Sequence, residues 1–587
     1  MPEPCGSQRE LGRLHIKTGA DQARRALAPP IPPRLRAATP PALVKWCHAT
    51  MHSRRAGRGL QREEPMTQMS AFEVLGPIMI GPSSSHTAGA LRCAQTALAL
   101  CASEPASVTF TLWNSFAHTY RGHGTDRALL GGILGFDTDD ERIRDSFQIA
   151  DERGLAYRFA IGGDDPALHP NTVDIAITES GGSTLEVRGE SLGGGRVRLC
   201  RINGVSVDIL GEYETVFVSH RDVPGALASI IACVADDGVN IAFMKTYRSE
   251  RGGMAYTVLE MDDAPADAVL QRLSQLAPVT SARRIHIPGA TRPGGEGSSP
   301  YLFANGRELL DLCKRHGAGI GAVMRLREES LFSPGFDERM AHVLQVMRES
   351  STRAIENPRP SLGGFIGGEA RLLSQASDTA AASLVGAPLT HAVTRAMAVL
   401  EQNATMGVIV AAPTAGSSGV VPGCVISAGE ALGTGEKDVQ QALWCAAAVG
   451  MLLSRNASVA GAEGGCQAEV GSAAAMAAAA LAQMLGGTPE QALNASSIAL
   501  GNLLGLACDP IGGLVEAPCQ NRNAIGVACA FTATQLSLAG IKAPVPFDEA
   551  ADAMLRVGRM LPLELRETAL GGLATCPSVC SACGGCA

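Results

Sequence analysis

Three cysteines stand where a thiol is most readily turned into a metal ligand. Cys508 and Cys519 bracket the irregular stretch CDPIGGLVEAPC, and Cys466 lies in AEGGCQAEVG. Cys466 and Cys519 each precede or open a helix-like run, and the partial positive charge of a helix N-terminus favours the thiolate. Cys508 follows just past the end of another helix. Three thiolates from separate helix ends supply one ligand fewer than a closed zinc or iron-sulfur site requires. An incomplete shell leaves one metal corner open, as a Lewis acid gripping a substrate oxygen needs. None of the three belongs to a C-x-x-C pair, so three buried thiols that never meet stands as the alternative.

Proton transfer needs a second set of groups. Of 12 histidines, His86 in PSSSHT and His123 in RGHGTD lie in polar, Gly- and Ser-rich stretches, and imidazole titrates close to neutral pH. His123 is the expected base and His86 the expected aid to substrate positioning. His118 and His169 are weaker candidates, and a histidine hydrogen-bonded to backbone is the alternative throughout. Ser83, Ser84, Ser85 and Thr87 offer hydroxyls and loop amides for a carboxylate, and equally an N-cap for the helix AGALRCAQTALAL. Asn114, Asn171, Ser191 and the glycines at 193–195 are candidates to hold an amino group or line the pocket.

These residues need elements to carry them, and the chain reads as several domains. The leader 1–65 is basic, Arg- and Pro-rich and without apolar periodicity; it is expected to be disordered, an extension ahead of Met66 or Met69. Residues 66–211 mix helices with alternating strands such as VTFTLW and VDIAIT, and an Asn203-Gly204 hairpin: an α+β domain. Residues 212–287 read β-α-β-β-α-β, a ferredoxin-like unit resembling an ACT domain, with DVPG opening its first helix. The resemblance implies an amino-acid effector, and a dimerising module without ligand is the alternative. A Gly/Pro/Ser linker (288–300) leads to an all-α region (301–575), where Thr488, Pro489 and Gln491 mark one helix start. The tail 576–587 carries Cys576, Cys580, Cys583 and Cys586, which read locally as a four-thiolate metal site or as an inert terminus.

Composition bounds the rest. At 587 residues the chain exceeds a single core, and at 46% hydrophobic, 18% charged and 4% aromatic its interior is built from small aliphatic side chains. The net charge is −8, yet residues 1–65 hold 12 Lys and Arg against 5 Asp and Glu, so the body is more acidic still. No nucleic-acid footprint follows from an acidic body. No apolar run reaches the length of a membrane span. With no signal peptide at its start, the 17 cysteines read as reduced thiols of a cytoplasmic protein.

Taken together, GPSSSHTAGALR, SFAHTYRGHGTDRAL, HPN, SLGGG, GGFIGGEA, APTAGSSGVVPG, AEGGCQAEVGSA and CDPIGGLVEAPCQNRNAIG resemble the iron-sulfur-dependent L-serine dehydratases, in that family's order over residues 70–587. The resemblance implies a lyase converting L-serine to pyruvate and ammonia, oxygen-sensitive, with Cys466, Cys508 and Cys519 ligating a 4Fe-4S cluster. It also implies a cysteine near the C-terminus on the fourth iron in some members, with Cys586 the candidate here. A homodimer or larger assembly is expected, since ACT-type sheets usually pair. Pyridoxal phosphate, which runs the same net reaction, lacks its anchor: Lys314, Lys437 and Lys542 are the lysines of the α region and none lies in a Ser/Gly-rich motif. The competing readings are another 4Fe-4S hydro-lyase acting on a hydroxy acid, which would release no ammonia, and a non-enzymatic amino-acid or redox sensor.

Overall fold

The computed structural model describes residues 69–582 except 212, 249, 286, 288–298 and 333, and nothing of the side chains of 580–582. The leader, most of the linker, Cys583 and Cys586 lie outside the described residues.

The first described segment belongs to the helical part of the molecule. Ser70 caps a short turn, with Glu73 closing a capping box, and the buried Glu328 accepts from Ser70 Oγ and from the Ala71 amide. Phe72 packs edge-on to Trp444, with ring centroids 5.7 Å apart. The segment then forms β1 (Ile78–Ile80). Met69, Phe72, Val74 and Leu75 are thus spent on the core of the helical domain, a long-range burial that local periodicity does not reveal.

Next comes a mixed sheet: β2 (Pro105–Trp113), β3 (Ala156–Gly163), β4 (Thr172–Glu179), β5 (Thr184–Gly193), β6 (Arg196–Ile202) and β7 (Val205–Ile209), in the order β3-β2-β4-β5-β6-β7. Only β2 and β3 run parallel; the remaining neighbours are antiparallel. Alternation buries Val108, Phe110 and Leu112 on β2, and Val173, Ile175 and Ile177 on β4. They share a core with the helices Ala90–Ala99 and Thr125–Ile133. The Asn203-Gly204 turn joins β6 to β7, both residues having positive φ as such a turn demands.

The ACT unit is a four-stranded antiparallel sheet of β8 (Glu214–Arg221), β9 (Ile241–Arg248), β10 (Met254–Met261) and β11 (Val279–Ile285), in the order β11-β8-β10-β9. Its two helices, Ala226–Ala235 and Asp267–Gln275, close a small core around Val216, Ile230, Leu259 and Leu273. Phe243 and Met244 stay exposed on the edge strand β9.

Among the described residues from Gly306 onward the elements are helices but for one short strand. Three residues, β12 (Val408–Val410), pair antiparallel with β1, Ile78 facing Val410. At the centre lies Ser472–Met484, whose alanines are buried on every side. Alanine here serves close approach, for neighbouring helices can pack against it almost at backbone distance. No helix among the described residues is long and apolar enough to cross a membrane.

Candidate active site

The three cysteines are gathered by hydrogen bonds between helix ends. Thr488 and Gln491 form a capping box at the start of the helix Pro489–Leu503. Beyond its last turn the Gly505 amide donates to Gln467 Oε1 (2.9 Å), and the Gln467 amide donates to the Leu506 carbonyl (3.0 Å). This latch sets Cys508 against Cys466, and the two share an apolar cluster with Val470. Cys519 opens the helix Cys519–Leu538. Arg522, one turn in, donates to Asp509 Oδ1 at 2.6 Å, which ties the third thiol's helix to the loop of the second. Cys508 and Cys519 line one small cavity together with Ser83, His123, Glu469 and Glu567.

All three thiols are buried. Burial pushes Cys466 up to about 12. It raises Cys508 and Cys519 well above the usual thiol range, helped by Glu469, Glu567 and the neighbouring sulfurs. The expectation that helix N-termini favour thiolate is therefore reversed in the protein alone, because desolvation outweighs a partial dipole charge. Three crowded, acid-flanked thiols ionise readily only when a cation compensates them, and that donor chemistry fits a thiolate-ligated metal group.

The histidines come from the α+β domain. Ser83 caps the turn that bears His86, its Oγ accepting from the His86 amide at 3.1 Å. Thr87 Oγ1 donates to the His123 carbonyl at 2.7 Å, which fastens one histidine loop to the other. The two rings stack with centroids 4.4 Å apart. His123 Nδ1 lies 3.2 Å from the Thr119 carbonyl, which can only accept, so this nitrogen donates there. Nε2 has no hydrogen-bond partner, and 3.4 Å away stands Glu567 Oε1. Burial lowers His86 to about 3, although Glu567 opposes the shift. Burial works to raise Glu567, yet the two imidazoles and the Ala462 amide outweigh it and hold the carboxyl below its ordinary range.

The other predicted residues divide. Ser83 lines the cavity. Ser84 Oγ is buried without a partner, and Ser85 is buried nearby. Asn171 and Ser191 meet, Nδ2 donating to the Ser191 carbonyl at 3.4 Å, while Asn171 Oδ1 and Ser191 Oγ stay unpartnered. Ser191 also lies against the histidine turn: a Cβ on Gly89 would fall 2.0 Å from its Oγ. Asn114 is bonded to a loop. With φ +51° it holds the 165–169 loop, donating to the Asp165 carbonyl and accepting from the Asp165 amide. His118 pairs with Asp164 at 2.8 Å and His169 with Glu463 at 3.5 Å, both partly exposed.

Three groups in the site were not foreseen. Ser115 lies 2.9 Å from His86 Nε2 and donates to the Glu567 carbonyl. Glu469, three residues after Cys466, accepts from Thr414 at 2.8 Å and is pushed up to about 8 by burial and by Glu567. Glu567 arrives from a loop whose amide donates to the Cys508 carbonyl at 2.8 Å. Glu469 stood in plain view inside a cysteine motif; Glu567 sits in RETAL, which carries no local signature.

Comparison with known proteins matches residues 70–163 to the serine dehydratase beta chain, 215–278 to the ACT domain and 292–574 to the serine dehydratase alpha chain. An L-serine dehydratase of Streptomyces coelicolor is 31% identical over 527 residues, covering 86% of this chain and 98% of the relative. The chain belongs to the L-serine dehydratase family. A probable L-serine dehydratase alpha chain of Bacillus subtilis is 44% identical over 280 residues, 47% of this chain and 93% of that one. The L-serine dehydratase beta chain of Peptoniphilus asaccharolyticus is 37% identical over 222 residues, 38% of this chain and all of its own length. In this family member the beta-type region supplies both histidines and the alpha-type region supplies the three cysteines, Glu469 and Glu567.

Proposed function

We propose that the chain is an L-serine dehydratase, a cytoplasmic lyase that converts L-serine to pyruvate and ammonia, with Cys466, Cys508 and Cys519 holding a 4Fe-4S cluster. The observation that carries this reading is the convergence of His123 and Ser83 with Cys508, Cys519, Glu469 and Glu567 on one buried cavity. When bound, the cluster would supply Lewis acidity that makes the substrate hydroxyl a better leaving group.

The side chains account for the remaining steps. His123, its ring fixed by the Nδ1 hydrogen bond to Thr119, takes the Cα proton on Nε2 when the imidazole is neutral. The Cα–H electrons form the new double bond, the Cβ–O bond breaks, and the departing hydroxide takes up the proton that His123 received, leaving as water. The resulting aminoacrylate tautomerises and hydrolyses. Ionised Glu567 beside His123 stabilises the imidazolium that forms. His86, held neutral, orients Ser115 and Ser83. Ser84, Ser85, Asn171 and Ser191 bring buried polar atoms to the histidine turn, where the substrate carboxylate and amino group need partners. Thr87 and Asn114 position loops. The cavity measures only about 10 Å³, so its lining must rearrange to admit the substrate.

An amino-acid effector at the ACT unit and pairing through β9, whose Phe243 and Met244 are exposed, complete the proposal. Anaerobic purification, an iron and sulfide assay, and pyruvate production from L-serine before and after exposure to air test it. Full dehydration by an iron-free preparation would end the cluster reading.

A further inference from the structure

A second and larger cavity, of about 420 Å³, lies beside the site and is lined in part by Arg455, Arg559, Arg566 and Glu463. Its walls are sequence neighbours of the catalytic set: Arg566 precedes Glu567, Pro170 precedes Asn171, and Gly464 stands two before Cys466. The glutamate of this lining is already engaged. Ser458 Oγ donates to Glu463 at 2.6 Å, and His169 Nε2 lies 3.5 Å from it.

Arg455 and Arg559 occupy or closely follow the last turns of their helices, where a cation is favoured whatever it faces. Arg566 has no such reason to be there. Its Nε is buried with no acceptor, and among the described residues neither Arg559 nor Arg566 reaches a carboxylate at ion-pair distance. An Arg566 Nε held away from water without an acceptor is costly, and the ligand that best satisfies the planar fork of this half-buried side chain is a carboxylate bound through two oxygens.

We propose that this cavity captures small carboxylate anions of the 2-amino or 2-oxo acid class on their way to or from the catalytic cavity. The catalytic cavity is too small to hold such a molecule in this arrangement, whereas the arginine cavity has ample room. The anion's identity rests on the dehydratase reading; the existence of the site does not.

The test compares Arg566→Gln and Arg559→Gln with Arg556→Gln, all in the anaerobic holoenzyme. Arg556 lies on the same helix, is paired with Asp552 and is not part of the lining. Each lining substitution should raise KM for L-serine about tenfold, with a smaller effect on kcat, the signature of lost binding. Pyruvate binding, read by saturation-transfer NMR without turnover, should weaken in parallel, and Arg556→Gln should change neither. Unaltered KM and pyruvate binding in both lining variants would overturn the proposal. So would phosphate or chloride binding as tightly as pyruvate without competing with serine. If no preparation makes pyruvate from L-serine, the dehydratase reading fails while the NMR arm still decides whether the site exists.

Discussion

The imidazoles of His86 and His123 stack with 25° between their planes and turn His86 Nδ1 and His123 Nε2 toward the same oxygen, Glu567 Oε1, at 3.5 and 3.4 Å. Hydrogen-bond accounting separates their roles. Ser115 must donate to the Glu567 carbonyl, so it can only accept from His86, and the proton on His86 sits at Nε2. His86 Nδ1 then faces Ser83 Oγ at 3.3 Å, while His123 Nε2 faces nothing but the carboxylate. The two facing nitrogens thus differ in that His86 Nδ1 has Ser83 Oγ as a second neighbour, which is the ground for the proposal that His123 is the base.

Replacing His123 by Asn should therefore lower kcat by roughly 10²–10⁴-fold, the usual contribution of a general base, with iron and sulfide content unchanged. His86→Asn should retain more of kcat and disturb KM through Ser83 and Ser115. Steady-state kinetics on both variants check this, and the opposite ranking would exchange the two assignments.

Glu567→Gln keeps the shape of the side chain and removes its charge. Without the anion, the imidazolium on His123 loses its stabilising neighbour, so kcat should fall by about tenfold or more. An iron assay should read as in the parent. A variant with full kcat would confine Glu567 to plugging the cavity.

The boundary between what the sequence discloses and what it conceals follows the range of the interactions. Local patterns sufficed for the β6–β7 turn, for the Thr488 cap and for the β-α-β-β-α-β succession of the ACT unit, because turn chemistry, capping and alternation act within a few residues. The family's motif order was likewise legible. The partnership of β1 with β12 was not, since it joins residues more than 300 positions apart and each strand has only three. Glu567 was hidden for the same reason: its backbone is placed by Cys508 and its carboxylate by two histidines of another domain. At Asn114 the structure adds a left-handed turn and hydrogen bonds to the Asp165 loop, which its motif does not disclose.

Serine at Cys466, Cys508 or Cys519 should each abolish L-serine turnover and reduce bound iron and sulfide in anaerobic preparations. Cys93→Ser is the matched control, since Cys93 is buried but packs against the β sheet. Its iron content should equal that of the parent. Iron retained at full level in all three ligand variants would remove the cluster from these residues.

Thr488→Ala removes the hydroxyl that accepts from the Gln491 amide and leaves the other half of the capping box, the residue-488 amide donating to Gln491 Oε1, in place. The loss should be about 1 kcal/mol. It should appear as a lower melting temperature without a change in kcat, because the helix that leads to Cys508 is secured at its far end by Gln467.

Asp126 supplies a pH test independent of the metal centre. Burial raises its carboxyl to about 6 from the ordinary 3.8, against the opposing pull of the Arg127 amide and the Arg127 and Arg121 charges. Between pH 4 and 6 the unfolded chain has released this proton while the folded chain retains it. Stability therefore falls as pH rises through that window and is flat above it, by at most roughly 3 kcal/mol for a shift of about two units. Asp126→Asn cannot ionise, and its side-chain oxygen can still accept from the Arg127 amide, as Asp126 Oδ1 does at 2.8 Å. Variant and parent should melt together near pH 4 and diverge as pH rises, with the variant the more stable above pH 6. A melting difference that stays constant across the range would show that Asp126 is ionised in the folded chain throughout.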